Sequence, residues 1–194
     1  ADICYASNPS YTNVPDDNFE QALIDLGYDN TLDDYVLTES ISGVTNLNIS
    51  GGGIINMTGI EDFTALTELW CSYNQLTTLD VGSNTALTDF RCDHNGITSL
   101  DVSSNTALTY LNCGTNELTS LDVSNNTDLT YLGCDDNQLT SLNVTVNTVL
   151  TDFRIGWNPL TGLVLSTNTA LTRLEVQEAQ LTSLDVSANT ALTH

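Results

Sequence analysis

The sequence predicts a mainly β repeat solenoid with a small helical N-terminal cap, and two observations lead to this fold class. A leucine recurs every 21 residues without slipping, at Leu66, Leu87, Leu108, Leu129, Leu150, Leu171 and Leu192. Within each 21-residue repeat, apolar residues hold positions 1, 4, 6, 11, 14 and 16, with polar residues between them. Self-similarity at such a fixed period is typical of solenoids, whose repeats bury their apolar faces against each other.

The chain divides into three predicted regions. Residues 1–43 are expected to form an N-terminal cap with one α-helix at about 15–26, since Pro15 and the acidic residues after it suit a first helical turn. Residues 44–65 form a degenerate first repeat. Residues 66–194 hold six 21-residue repeats and the start of a seventh. Because that last repeat stops after three residues with no cap, we expect the solenoid to be truncated.

Each repeat follows the consensus LTxLxCxxNxLTSLDVSxNTA. The Leu-x-Cys and Leu-x-Val pieces alternate with period two, which predicts short strands at about positions 3 to 6 and 13 to 16. Counterparts in successive repeats would stack in parallel about 4.8 Å apart. The sequence therefore predicts two parallel β-sheets, or one sheet plus extended convex segments.

The pattern LxxLxCxxNxL resembles the leucine-rich repeat, and LTSLDVSxN resembles a second copy nested within it. Over residues 44–194 the chain is similar to the short 21-residue class of bacterial secreted and cell-surface proteins. The resemblance implies a solenoid whose variable face binds a partner, usually a protein. It implies a non-catalytic adhesion module that is secreted or lies at the cell surface.

Charge and composition exclude several classes of function. The chain has 25 Asp and Glu residues against three Arg and no Lys, a formal charge of −22, which disfavours nucleic acids and anionic membranes. It lacks the run of about 18 apolar residues that membrane insertion requires. With two histidines, no nucleophile elbow and no phosphate-binding glycine loop, the sequence does not predict an enzyme or a cofactor.

Two kinds of uniform position are predicted to hold the scaffold together. Position 6 accepts cysteine and branched aliphatic residues alike, which favours buried free thiols over stacked disulfides or a metal site, and leaves Cys4 undecided. Positions 9 and 19 are asparagine, whose amide can satisfy backbone groups at each turn. These positions are Cys71, Cys92, Cys113 and Cys134, then Asn74, Asn95, Asn116, Asn137 and Asn158, and Asn84, Asn105, Asn126, Asn147, Asn168 and Asn189.

The variable positions 3, 5 and 8 contain every Arg and both Trp of the chain. Aromatic and Arg side chains dominate binding hot spots, and Gly133, with Gly114 and Gly156, predicts a shallow notch for a side chain or a sugar ring. The predicted ligand-binding residues are Trp70, Tyr73, Arg91, Tyr110, Asn112, Tyr131, Arg154 and Trp157.

Several alternatives remain open. A polysaccharide could occupy the same face, with Arg meeting sulfate or carboxylate groups; the chain could be a structural spacer; or the Thr positions could bind ice. Calcium could bridge the Asp residues at position 15 or bind the acidic loop 29–39. The variable residues could also simply pair with each other, with Trp70 over Arg91 as a cation–π contact and Arg154–Glu175 and Arg173–Asp152 as ion pairs.

Overall fold

The computed structural model describes residues 9–193, and within them one parallel sheet of seven strands runs the length of the solenoid. Equivalent residues of successive repeats pair directly, as Leu69 does with Phe90. This confirms the predicted mainly β solenoid. The strands are β3 (Asn46–Asn48), β4 (Glu68–Trp70), β5 (Asp89–Arg91), β6 (Tyr110–Asn112), β7 (Tyr131–Gly133), β8 (Asp152–Arg154) and β9 (Arg173–Glu175).

The middle residue of each strand points inward and its two neighbours point outward, as strand geometry requires. Leu69, Phe90, Leu111, Leu132 and Phe153 are fully buried at position 4. Buried leucines and valines at positions 1, 11 and 16 complete one continuous core. Positions 3 and 5 are thereby left on the outer surface of the sheet.

Within residues 9–193 the second half of each repeat contributes no strand, so the solenoid has one sheet plus extended convex segments and not two sheets. At position 15 of every full repeat except that of Val164, a side-chain oxygen accepts the backbone N–H two residues later. Asp101 accepts from Ser103 and Asp122 from Ser124, each at 2.9 Å. Such Asx turns bend the backbone away from a ladder conformation.

These Asp residues are fully solvated at the surface, and their hydrogen bonds from Ser103 and Ser124 lower the pKa of Asp101 and Asp122. Each carboxylate thus already has a structural role. Among residues 9–193, no three His, Cys, Asp or Glu side chains group together as a metal site would need. The calcium alternative receives no support from this geometry.

The cap region contains a two-stranded antiparallel sheet, β1 (Tyr11–Asn13) with β2 (Tyr35–Leu37), and the helices α1 (Asp17–Asp25) and α2 (Thr38–Ile41). A 3₁₀ turn, Ile60–Asp62, follows in the degenerate repeat. Helix α1 begins two residues later than predicted because Asp16 is its N-cap.

Two acidic side chains organise this region: Asp16 ties helix α1 to the degenerate repeat, and Glu20 ties it to residues 33–35. Asp16 Oδ1 accepts from two amides of the first turn of α1, while its Oδ2 accepts the N–H groups of Ile55 and Asn56 at 2.8 and 2.9 Å. Glu20 is completely buried, and its carboxylate accepts three backbone amides of residues 33–35, at 3.0 to 3.1 Å. The acidic loop that suggested calcium is therefore closed by a carboxylate from the helix.

The two asparagine ladders are buried, as predicted, but they bond differently. Asn116, at position 9, accepts from Ile97 N and donates to the carbonyls of Cys92 and Cys113, all within 3.1 Å. At position 19 each amide donates to two carbonyls, yet its oxygen accepts from no donor among the described residues; this holds for Asn84, Asn105, Asn126, Asn147, Asn168 and Asn189.

The position-6 thiols are buried and free, which confirms their prediction. Burial disfavours the thiolate and raises the pKa of Cys113 to about 12. Cys4 lies outside the described residues. None of the helices within residues 9–193 combines the length and apolar character needed to cross a bilayer.

Candidate functional site

Five of the predicted binding residues form one continuous stack across strands β4 to β8. The Arg91 guanidinium carbon lies 4.5 Å from the ring centroids of both Trp70 and Tyr110. The Tyr110 and Tyr131 rings are parallel within 3° at 4.0 Å, and the Arg154 guanidinium carbon lies 5.2 Å from the Tyr131 ring. We call these five side chains the aromatic–arginine ladder. One member comes from each of five successive repeats.

Both ladder arginines are bound by a carboxylate of their own strand. Arg91 donates through Nε and Nη2 to the two oxygens of Asp89, at 2.9 and 2.7 Å. Arg154 makes the same bidentate pair with Asp152, at 3.3 and 3.2 Å. These hydrogen bonds raise the pKa of each guanidinium. The positive charges of the ladder are therefore already compensated.

The predicted cation–π contact between Trp70 and Arg91 is confirmed, but the predicted ion pairs between strands are wrong. Arg154 pairs with Asp152, and Arg173 pairs with Glu175. Residues two apart in one strand project from the same face, so the carboxylate can meet the guanidinium without crossing to the next repeat.

The predicted notch around Gly133 is filled. A Cβ at Gly133 would lie 2.7 Å from Asn112 Oδ1 and 2.9 Å from Tyr131 Oη, so these side chains already occupy that space. Gln177 leans over Gly156 in the same way, with its Cδ 2.9 Å from a Cβ position. Burial in this setting raises the pKa of the Tyr131 phenol, and the neighbouring Tyr110 adds to the effect. Glycine here lets neighbouring side chains pack and leaves no cavity.

Position 8 forms a second row, along the turn that follows the strands. All six of its residues have a left-handed backbone, with φ between 51° and 58°, although none is glycine or asparagine. The conformation is held by bonds between repeats, such as Trp157 N to Gln177 O at 2.8 Å. We call this set the turn row: Tyr73, His94, Thr115, Asp136, Trp157 and Glu178.

The turn row presents its side chains to solvent. Tyr73 is 60% exposed and Trp157 is 55% exposed. The rings of Tyr73 and His94, from adjacent repeats, stack at 4.1 Å with an interplanar angle of 18°. A bulky residue in a left-handed backbone costs roughly 1–2 kcal/mol, and such strain is a common mark of functional positions.

Asp93 at position 7 is a functional candidate that sequence reasoning missed. Its carboxylate accepts from Ser72 Oγ at 2.6 Å and Asn112 Nδ2 at 2.9 Å, and it contacts His94 Nδ1 at 3.0 Å. It therefore fixes residues of both the strand face and the turn row. Position 7 also varies, with Ser, Asp, Gly and Gln among its residues, and this variability could have identified it.

The structure groups the eight predicted residues unevenly. Trp70, Arg91, Tyr110, Tyr131 and Arg154 form the ladder, and Asn112 lies beside it, bonded to Asp93. Tyr73 and Trp157 belong to the turn row but lie four repeats apart, or roughly 19 Å at the strand spacing. A single small ligand cannot touch both, so the eight residues make an extended surface.

Comparison with known proteins gives relatives of the same architecture. Internalin J of Listeria monocytogenes serotype 4b (strain F2365) is 44% identical over 70 residues, which is 36% of this chain and 8% of that protein. The solved functional domain of internalin J from Listeria monocytogenes, which includes a cysteine ladder, has a TM-score of 0.77 and 38% identity and covers 96% of this chain. This chain spans only 47% of that domain.

Two further structures share the fold alone. Internalin C2 of Listeria monocytogenes gives a TM-score of 0.73 at 18% identity, covering 97% of each chain. A leucine-rich repeat protein of Leptospira interrogans gives 0.60 at 22% identity, covering 71% of this chain and 44% of its own. No protein-family model matches the chain. The 21-residue period, the parallel sheet, the buried cysteine ladder and these relatives agree: the chain is a leucine-rich repeat solenoid similar to these bacterial proteins.

Proposed function

We propose that the chain is a non-catalytic, secreted or cell-surface module that binds a partner protein through the aromatic–arginine ladder and the turn row. One observation carries the proposal: the ladder is a continuous surface that combines stacked aromatic rings with ordered guanidinium groups. Solenoids commonly bind proteins across such extended faces.

The order of the ladder favours binding as well as stability. Each side chain is held by its neighbours in the stack, and the two arginines are also fixed by Asp89 and Asp152. Immobilising a free, rotamer-rich side chain costs about 0.5–1.5 kcal/mol on association. A surface that is already ordered avoids most of this cost, as expected for a site that recognises one shape.

The relatives support a protein-interaction module, since their leucine-rich repeat structures cover nearly the whole of this chain. Because the chain spans less than half of the internalin J domain, the identity of a partner is a matter for experiment. Adhesion and an extracellular location belong to the same proposal.

The geometry supports polysaccharide binding and ice binding less well than it supports protein binding. An acidic polysaccharide would meet arginines whose Nε and Nη2 are already held by Asp89 and Asp152, beside carboxylates that repel it. For ice binding, the position-2 threonines would need free hydroxyl donors, but Thr67, Thr88 and Thr109 each donate to a carbonyl of the preceding repeat at 3.0 to 3.1 Å.

The test is capture of surface proteins and an array of glycans by the wild-type chain and by the variant Arg91→Asn/Arg154→Asn. Asn112 is native at this strand position, so the variant should fold. The control is Asp101→Asn/Asp122→Asn on the convex side, where Asn143 is native.

We expect a protein that is captured by wild type and control and lost with the ladder variant. Loss of a glycan in the same pattern would favour the polysaccharide alternative. If the ladder variant captured the same proteins as wild type, this face would not be the binding site.

A further inference from the structure

Trp157 is an exposed indole between two carboxylates in the turn row. Its equivalents in the preceding and following repeats are Asp136 and Glu178, both exposed. Backbone bonds fix this register: Asp136 N donates to Gly156 O at 3.0 Å, and Trp157 N donates to Gln177 O at 2.8 Å. The three residues therefore lie side by side at the spacing of one repeat.

That spacing brings turn-row side chains within contact distance. Tyr73 and His94 hold equivalent places in adjacent repeats, and their rings stack at 4.1 Å. At the places on either side of Trp157, by contrast, the turn-row residue is acidic.

The ladder shows that a guanidinium group can lie against an aromatic ring while a carboxylate binds it. Arg91 lies between two aromatic rings at 4.5 Å from each while a carboxylate holds its guanidinium. The Trp157 indole has no comparable cation: among residues 9–193, the cation–π contacts involve only Trp70, Tyr110 and Tyr131. Asp136 and Glu178 likewise enter no salt bridge within the described residues. The exposed indole and the two carboxylates without a salt bridge are therefore suited to bind a cationic group of a partner.

The overall charge favours the same ligand. A chain with a formal charge of −22 attracts cationic partners over long distances and repels anionic ones. An aromatic face adjoining carboxylates binds ammonium and guanidinium groups by combining cation–π attraction with charge-assisted hydrogen bonds.

From these observations we propose that Trp157, Asp136 and Glu178 form a subsite for a lysine or arginine side chain of the partner protein. The inference rests on the proposed function and deepens it, since it assigns a basic surface to the partner.

The subsite can be tested without knowing the partner. The chain has only two tryptophans, Trp70 and Trp157, so its indole N–H groups give two NMR signals, which Trp157→Thr assigns; Thr115 is native in the turn row. Argininamide acetylated at its α-amino group is titrated into the ¹⁵N-labelled chain, with the equally acetylated amide of citrulline, a neutral analogue, as the control ligand.

We expect argininamide to shift the Trp157 signal and citrulline amide to leave it unchanged. Asp136→Asn/Glu178→Gln should weaken the argininamide titration about fivefold, as expected for the loss of roughly 1 kcal/mol. The convex variant Asp101→Asn/Asp122→Asn, which removes the same charge, should change it by less than about twofold because its carboxylates are remote and screened.

Equal weakening of argininamide binding in the turn-row variant and the convex variant would show general charge attraction only and would overturn the subsite. The subsite would also be overturned if citrulline amide shifted the Trp157 signal equally, or if argininamide did not shift it. The partner arm separates this inference from the proposed function. Captured proteins that are lost with the ladder variant but retained by Trp157→Thr would overturn the subsite alone. Capture unaffected by the ladder variant would overturn the proposed function, whatever argininamide does.

Discussion

The two asparagine ladders look alike in sequence, but truncating them should have very different costs. Asn116→Ala removes one acceptor contact, from Ile97 N, and three donor contacts, to the carbonyls of Cys92, Cys113 and Gly114, and leaves those backbone groups buried. At about 1 kcal/mol net for each hydrogen bond, and more for a buried group left without a partner, the expected loss is about 3–4 kcal/mol.

Asn105→Ala removes two bonds, from Nδ2 to Val81 O and Asn84 O, at 3.0 and 2.9 Å. It also removes a completely buried amide oxygen that accepts from no protein donor among the described residues. Relief of that oxygen offsets about 1 of the roughly 2 kcal/mol lost, so the expected net cost is about 1 kcal/mol. The two single variants should therefore differ by about 2 kcal/mol, or about 4–8 °C in Tm for a chain of this size.

Urea unfolding followed by far-UV circular dichroism measures the difference, with the slope of the transition checked because repeat proteins can lose cooperativity. Asn137→Ala and Asn126→Ala form an independent pair in the next repeat, with the same contrast in bonding. Equal costs within either pair, or a larger cost at position 19, would refute the reasoning, because the position-19 oxygen would then have a stabilising partner.

Three further predictions concern buried acids and thiols. Glu20→Gln should destabilise the chain by about 2–3 kcal/mol in urea unfolding, since a neutral amide oxygen cannot accept all three backbone N–H groups. Burial raises the pKa of Asp135, so its contribution to stability is greatest below its unfolded pKa and falls as pH rises through the folded pKa. Asp135→Asn should accordingly raise Tm near pH 7 and not near pH 3. An equal increase in Tm at both pH values would show that the stability contribution of Asp135 does not fall with rising pH. In a Cys4→Ser variant, the four buried thiols of position 6 should react with a thiol reagent only after the chain unfolds, as the pKa of about 12 for Cys113 implies. Rapid labelling of the native chain would show that these thiols are accessible.

The sequence was sufficient to predict the features that depend on the repeat period. A leucine every 21 residues sets the stacking, and once positions 3 and 5 are known to project outward, the face that collects every Arg and Trp70 follows, with Trp157 at position 8 on the adjoining turn. The buried thiols were predicted by the exchange of Cys134 for Ile155 at one position, since only an apolar interior accepts both residue types equally.

Features that depend on competition between neighbouring groups were not predictable from that period. The Leu-x-Val alternation favours a second strand, but the Asx turns of residues such as Asp101 bend the backbone away from it. Arg154 had carboxylates available on its own strand and on the next, and only the geometry of the face selects Asp152 over Glu175. The left-handed turn row carries no glycine or asparagine that would mark it in the sequence.

The pairing of the arginines also determines where specificity can come from. An unpaired guanidinium would bind any anion, whereas Arg91 and Arg154 are each held by an Asp, and Arg91 is also covered on both faces by the Trp70 and Tyr110 rings. Recognition by the ladder then depends on shape and on aromatic contact. Asp136 and Glu178, beside Trp157, enter no salt bridge within residues 9–193, so at the proposed subsite the orientation of a bound protein would be set by where its own cations lie.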